Sequence, residues 1–248
     1  MDGSLPTPDA FAHPLASAPD EVTKKLRGGV WERSELARSV YGSVLNLGRW
    51  LSARGVTPNS LTYASLSLAL ASGVAAGCSQ FLLAAALLLV SGAFDLLDGV
   101  VARAAQLSTR FGALLDSTVD RLADALPLLG LVVACSRSPL ASAVLMLAMM
   151  TGFAVSYVRA RAEGLGIHLP PLFMRRAERL VLLLLALVLG AVDVPGFPSE
   201  VAMLSVIGVM ALLSLVAAVW ALRAAYVSLA EGELRRVSAP AAPTPSRP

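Results

Sequence analysis

Along the chain, apolar positions gather into six long runs, near residues 59–77, 80–102, 111–134, 139–161, 177–194 and 199–224, separated by short polar breaks. At 1.5 Å per residue each run approaches or exceeds the roughly 30 Å of hydrocarbon that a membrane helix must cross. The first two meet around Gly77 to Gln80, a break short enough for an antiparallel helix hairpin. The pattern predicts an all-α membrane protein of six transmembrane helices. Upstream, residues 33–53 carry apolar positions at helical spacing with Arg38 and Arg49 between them, and Trp50 suits the same face. That arrangement suits an amphipathic helix lying in the membrane interface, and equally a cytoplasmic helix packed on the bundle. The ends, 1–20 and 229–248, the latter closing on VSAPAAPTPSRP, are expected to be disordered tails. This leaves 21–54 as the interfacial region and 55–228 as the six-helix domain.

Composition agrees with this reading. Of 248 residues, 56% are hydrophobic and only 15% charged, which excludes an ordinary soluble domain. The net charge of +3 hides a steep asymmetry, because nineteen of the twenty Lys and Arg residues fall on one side if both termini share it. Only Arg137 lies opposite. The positive-inside rule then puts both ends and the 103–110 and 162–176 loops in the cytoplasm, at the inner face of the cell membrane. A basic face there attracts anionic lipid or an anionic substrate, and no nucleic acid partner is expected. Cys78 and Cys135 are read as packing residues, with no disulfide.

Against this apolar background stand two pairs of aspartates, Asp95 with Asp98 and Asp116 with Asp120, in the run FDLLDGVVARAAQLSTRFGALLDSTVDRLAD. A charge at the centre of a membrane helix costs about 2.5–3.5 kcal/mol on insertion scales, so four carboxylates need a compensating partner. Steps of three and four residues keep each pair on one helix face. Divalent cations held between the two faces would compensate them. His13 and His168 form no cluster for a transition metal, and oxygen ligands alone suit Mg²⁺ or Mn²⁺. Gly99 and Gly112 let a phosphate or nucleotide approach the helix backbones, and Arg103 and Thr109 add a cation and a hydroxyl at the same rim. Asp124 extends the stripe and is expected to pair with a neighbouring arginine. An ion-coupled transporter would also carry intramembrane carboxylates, but these lie at one end of their runs, and the chain shows no inverted repeat.

The pattern Asp95-x2-Asp98-Gly99-x2-Ala102-Arg103-x8-Gly112-x3-Asp116-x3-Asp120 resembles the signature of the CDP-alcohol phosphotransferases at every named position. The resemblance implies six spans behind an interfacial helix, a homodimer, and transfer of a substituted phosphate from a CDP-linked donor to an alcohol with release of CMP. It also implies that Asp95, Asp98 and Asp116 are metal ligands, and that Asp120 both touches metal and takes the acceptor proton. Gly99, Arg103 and Thr109 would contact the CDP moiety. Thr57, Pro58, Asn59 and Ser60 match a stretch that lies beside the nucleotide in relatives, while as residues they equally read as a helix cap with Pro58 near its first position.

The acceptor is read from a second basic cluster, SYVRARAEGLGI and RRAERL. Arg176 and Arg179, three residues apart, share a helix face. Guanidinium groups gathered there suit bidentate capture of an acceptor phosphate, or serve topology alone. These stretches resemble those of the phosphatidylinositol phosphate synthases and archaeal inositol-lipid synthases, which implies CDP-diacylglycerol as donor and inositol 1-phosphate as acceptor, bound by Arg159, Arg161 and Arg179. Glycerol 3-phosphate and free inositol are the rival acceptors. Two departures stand out: Arg175 occupies a position where those relatives often carry Glu, and IHLPPLFM replaces a more polar loop.

Overall fold

The computed structural model describes residues 47, 48, 50–104, 107–192, 196 and 198–238, and all regular structure among them is helical. The helices are α1 (Pro58–Gly77), α2 (Phe81–Ala104), α3 (Arg110–Ala134), α4 (Pro139–Gly164), α5 (Arg176–Ala191) and α6 (Ser199–Ser238). Each begins within one residue of the apolar run that predicts it. The far end of α6 differs: it continues through Ser238, so residues 229–238 are helix rather than tail. Leu47, Gly48 and residues 50–53 are also helical, and the Arg54 guanidinium carbon lies 4.0 Å from the Trp50 ring centroid. The remainder of the expected interfacial helix and tails, residues 1–46, Arg49 and 239–248, lies outside the described residues.

Among the described residues, four helices are long and apolar enough to cross a membrane: α1, α2 over Phe81–Arg103, α4, and α6 over Ser199–Glu231. Large apolar side chains on them, such as Leu82, Leu89, Leu140, Met150, Leu212 and Val219, face outward. Outward leucines at this density suit hydrocarbon rather than water, and the chain is a membrane protein. The other two helices fall short for physical reasons. Helix α3 carries Asp116, Asp120, Arg121 and Asp124 within nine residues, and α5 has only 16 residues, about 24 Å of rise.

The described chain forms two compact units, one of residues up to Tyr63 with Ala93–Ser117, the other of Ala64–Gly92 with Thr118 onward. In the first, the helix ending at Ala53 closes on a Schellman turn, with Val56 N–H donating to Leu51 O and Gly55 N–H to Ser52 O. Gly55 supplies the left-handed φ of 81° that this ending requires. The second unit holds the large core, in which Leu88, Leu128, Leu131, Leu145, Leu183, Leu187, Met203 and Ile207 are buried together. There α4 and α5 both pack on α6. Helices α1 and α2 are tied by serines: Ser65 Oγ donates to Ser91 O at 3.0 Å, Ser91 Oγ to Ser65 O at 2.8 Å, and Ser72 Oγ to Ala84 O at 2.8 Å.

In the same unit α1 and α3 approach so closely that a Cβ on Gly130 would lie 2.0 Å from Gly73 O, and one on Gly73 would lie 2.6 Å from Leu126 O. Small residues at such crossings let backbones touch where the hydrophobic effect gives little drive between helices. Gly130→Ala is therefore expected to cost about 1–3 kcal/mol through forced separation of the helices, despite alanine's better helix propensity. Thermal unfolding of the detergent-purified protein should show a lowered Tm, with Gly164→Ala, where a Cβ meets open space, as the unaffected control.

Candidate metal centre

In the first unit, α2 delivers Asp95 and Asp98 one turn apart, and α3 delivers Asp116 from its second turn. One carboxylate oxygen from each lies within 4.8 Å of the others. Asp95 and Asp116 are half-buried and Asp98 is 5% exposed. Three anions at this spacing, with one removed from solvent, need positive charge between them. The donor set is carboxylate only, which fits a hard divalent cation such as Mg²⁺ or Mn²⁺.

A residue absent from the sequence reading completes this cluster. Thr62, on the second turn of α1 and equally buried, places its hydroxyl 2.6 Å from Asp98 Oδ2 and 3.1 Å from Pro58 O. With one hydrogen to give, the shorter contact is the charge-assisted bond, and it fixes the Asp98 carboxylate. A single threonine in an apolar run carries no sequence signal for this role.

The residues expected around a nucleotide have local structural work in the first unit. Thr57 caps α1: Ser60 N–H donates to Thr57 Oγ1 at 3.2 Å, and Ser60 Oγ donates to Thr57 O at 2.7 Å, with Pro58 at the first helical position. Thr109 caps α3, accepting from Gly112 N–H at 2.9 Å. A Cβ on Gly112 would lie 3.0 Å from Thr109 Oγ1 and 3.4 Å from Asn59 Oδ1, so this glycine seats both side chains. The Arg103 guanidinium folds back over Gly99, 3.3 Å from where a Cβ would be. Arg103 and Thr109 are both exposed.

The second unit contains Asp120 and the acceptor candidates. Asp120 Oδ1 lies 2.7 Å from Arg176 Nη1 in an ion pair. Asp124 does pair with arginine, as expected, and with two of them: its Oδ1 lies 3.7 Å from Arg176 Nε, while its Oδ2 receives Nε and Nη2 of Arg179. Arg179 is 7% exposed and also donates through Nη1 to Met174 O at 2.9 Å. It lines a cleft with Arg121, Asp124 and Ser156 at its polar part and Leu128, Met149, Phe153 and Met210 among its apolar walls. Arg159 and Arg161, on the last turns of α4, are not among the cleft's described lining residues.

A family profile described as CDP-alcohol phosphatidyltransferase matches residues 55–221, a span containing the carboxylate cluster, Thr62 and the arginine-lined cleft. The chain belongs to the CDP-alcohol phosphatidyltransferase family. An archaetidylinositol phosphate synthase of Methanothermobacter thermautotrophicus is 36% identical over 162 residues, 65% of this chain and 80% of the relative. The crystal structure of Mycobacterium tuberculosis phosphatidylinositol phosphate synthase with CDP-DAG bound superposes with a TM-score of 0.67 at 27% identity, covering 74% of this chain and 93% of that one. The same enzyme in complex with manganese and citrate matches with the same score and identity, covering 74% and 88%. A CDP-alcohol phosphatidyltransferase is a metal-dependent enzyme of phospholipid synthesis, which sets aside the transporter reading. If Thr62 orients a metal ligand in this phosphatidyltransferase, Thr62→Val should weaken Mn²⁺ binding about 10–100-fold, the range for lost outer-shell partners. Titration followed by the Mn²⁺ paramagnetic resonance signal checks this, since the valine keeps the side chain's volume.

Proposed function

We propose that the protein transfers the phosphatidyl group of CDP-diacylglycerol to inositol 1-phosphate and releases CMP. The observation that carries this reading is the group of three carboxylate oxygens within 4.8 Å, in a chain whose relatives are named for inositol phosphate lipids. Asp95, Asp98 and Asp116 hold the divalent ions, and Asp120 shares in that binding. Bound there, divalent cations supply positive charge against the donor pyrophosphate and the departing phosphate. Asp120 takes the proton from the acceptor hydroxyl while that oxygen bonds to the phosphorus bearing diacylglycerol and the bond from that phosphorus to the CMP oxygen breaks.

Gly99, Arg103, Thr109 and the Thr57–Ser60 turn border the nucleotide. The caps made by Thr57 and Thr109 are compatible with this, because capping uses their hydroxyl oxygens as acceptors and leaves each hydrogen to donate. Arg159, Arg161 and Arg179 surround the acceptor phosphate. Arg179 spends three donor directions on Asp124 and Met174 O, which leaves a guanidinium two more. All six helices span the membrane, α3 with its charged turns directed inward and α5 with its ends at the interface. An interfacial helix precedes them, the reaction faces the cytoplasm, and two copies form a homodimer.

A CMP-release assay with CDP-diacylglycerol and a panel of alcohols tests the acceptor. Turnover with inositol 1-phosphate well above that with glycerol 3-phosphate, free inositol or serine is the expected result. Activity confined to glycerol 3-phosphate would reassign the protein as a phosphatidylglycerophosphate synthase, and activity with free inositol would reduce the arginines to topology.

A further inference from the structure

Arg176 was grouped with the acceptor cluster by sequence, yet its guanidinium is turned onto a carboxylate. Nη1 lies 2.7 Å from Asp120 Oδ1, with both side chains about a quarter exposed. The pair is one end of an alternating chain of charges within the second unit: Asp120, Arg176, Asp124 and Arg179. Asp124 uses one oxygen for each arginine, Oδ1 toward Arg176 and Oδ2 toward Arg179, so it spaces the two guanidiniums. The far end is anchored. Arg179 is buried, lies across Gly152 of α4, where a Cβ would be 3.5 Å from Nε, and donates to Met174 O.

Met174 belongs to the segment between α4 and α5. Ile167, Leu172 and Met174 within it are buried, and Phe173 stacks at 6.1 Å on Trp220 of α6. Met174 itself holds φ at 55°, a left-handed conformation that a non-glycine residue keeps only where its surroundings impose it. The next residue caps α5, with Glu178 accepting the Arg175 N–H, so the first turn that carries Arg176 is fixed as well. One end of the charge chain is thus tied to packed backbone, and along it Arg176 reaches Asp120.

We propose that Arg176 is a positioning residue: it holds the Asp120 carboxylate in one rotamer, and takes its own position from Asp124, Arg179 and the capped first turn of α5. The proposal rests on the reading of Asp120 as the acceptor base. An aspartate on a helix has several rotamers to share, and a base must meet its proton within hydrogen-bond reach. A short ion pair to an arginine that is itself held on α5 removes that freedom. The pair contributes orientation rather than stability, since a partly exposed pair is worth little on its own.

The test uses the full-length detergent-purified protein, CDP-diacylglycerol and inositol 1-phosphate, with CMP release as the readout. Arg176→Gln should lower kcat by roughly tenfold to a hundredfold, the scale of a misplaced reacting group, while KM for inositol 1-phosphate stays within about twofold. Asp124→Asn, which loosens Arg176 without touching Asp120, should lower kcat less and in the same direction, and Arg176→Lys should recover part of the loss. Both variants also carry the test if the glutamine variant does not fold. A KM for inositol 1-phosphate raised tenfold or more with kcat kept would make Arg176 an acceptor ligand and overturn the proposal, as would unchanged kcat and KM in Arg176→Gln. Asp120→Asn is run beside them and should abolish turnover. Normal turnover in that variant overturns the underlying reading of Asp120, and is told apart from failure of the positioning role because it does not depend on Arg176.

Discussion

Mutual repulsion among Asp95, Asp98 and Asp116 is the constraint on which the account turns. With oxygens within 4.8 Å of one another, each pair of ionised carboxylates would repel by about 3.5 kcal/mol or more at an effective dielectric constant of about 20. Flexible side chains on a surface would swing apart. Here two carboxylates rise from consecutive turns of one helix and the third from another, and Asp98 is buried and held by the Thr62 hydroxyl. The geometry keeps the charges close, and an all-carboxylate group of this spacing suits a divalent cation. Such a group is usual for a functional site in a membrane protein, where an ionisable group in a span is costly without a purpose.

The second unit answers the same difficulty differently. Asp120 and Asp124 are balanced by Arg176 and Arg179, with signs alternating along the chain of contacts. A balanced network holds its members in place without any added ion.

Much of this was legible in the chain. The six apolar runs located the starts of all six helices to within a residue, because a break in hydropathy coincides with the turn that must reach polar surroundings. Asp95 and Asp98 could be placed on one face from the helical period alone, and the long spacing through Gly112 to Asp116 and Asp120 pointed to the family that the profile then matched. Long-range partners could not be read in this way. Nothing local says that Thr62 bonds to a residue 36 positions away, or that Arg179 reaches Asp124 across 55. The helical end of α6 was missed because LAEGELRR is polar, and polarity reads as loop when a helix simply leaves the apolar layer. Thr57 and Thr109 show a further limit: a residue type suited to both capping and ligand contact does not reveal which use the fold makes of it.

The most direct measurement is a structure of the protein grown or frozen with Mn²⁺, with the ion located by its anomalous scattering or density. The account predicts metal within about 2.0–2.3 Å of oxygens from Asp95, Asp98 and Asp116 together, the usual range for hard divalent cations. Carboxylates turned away from one another, paired with arginines and holding no ion at saturating Mn²⁺, would contradict it.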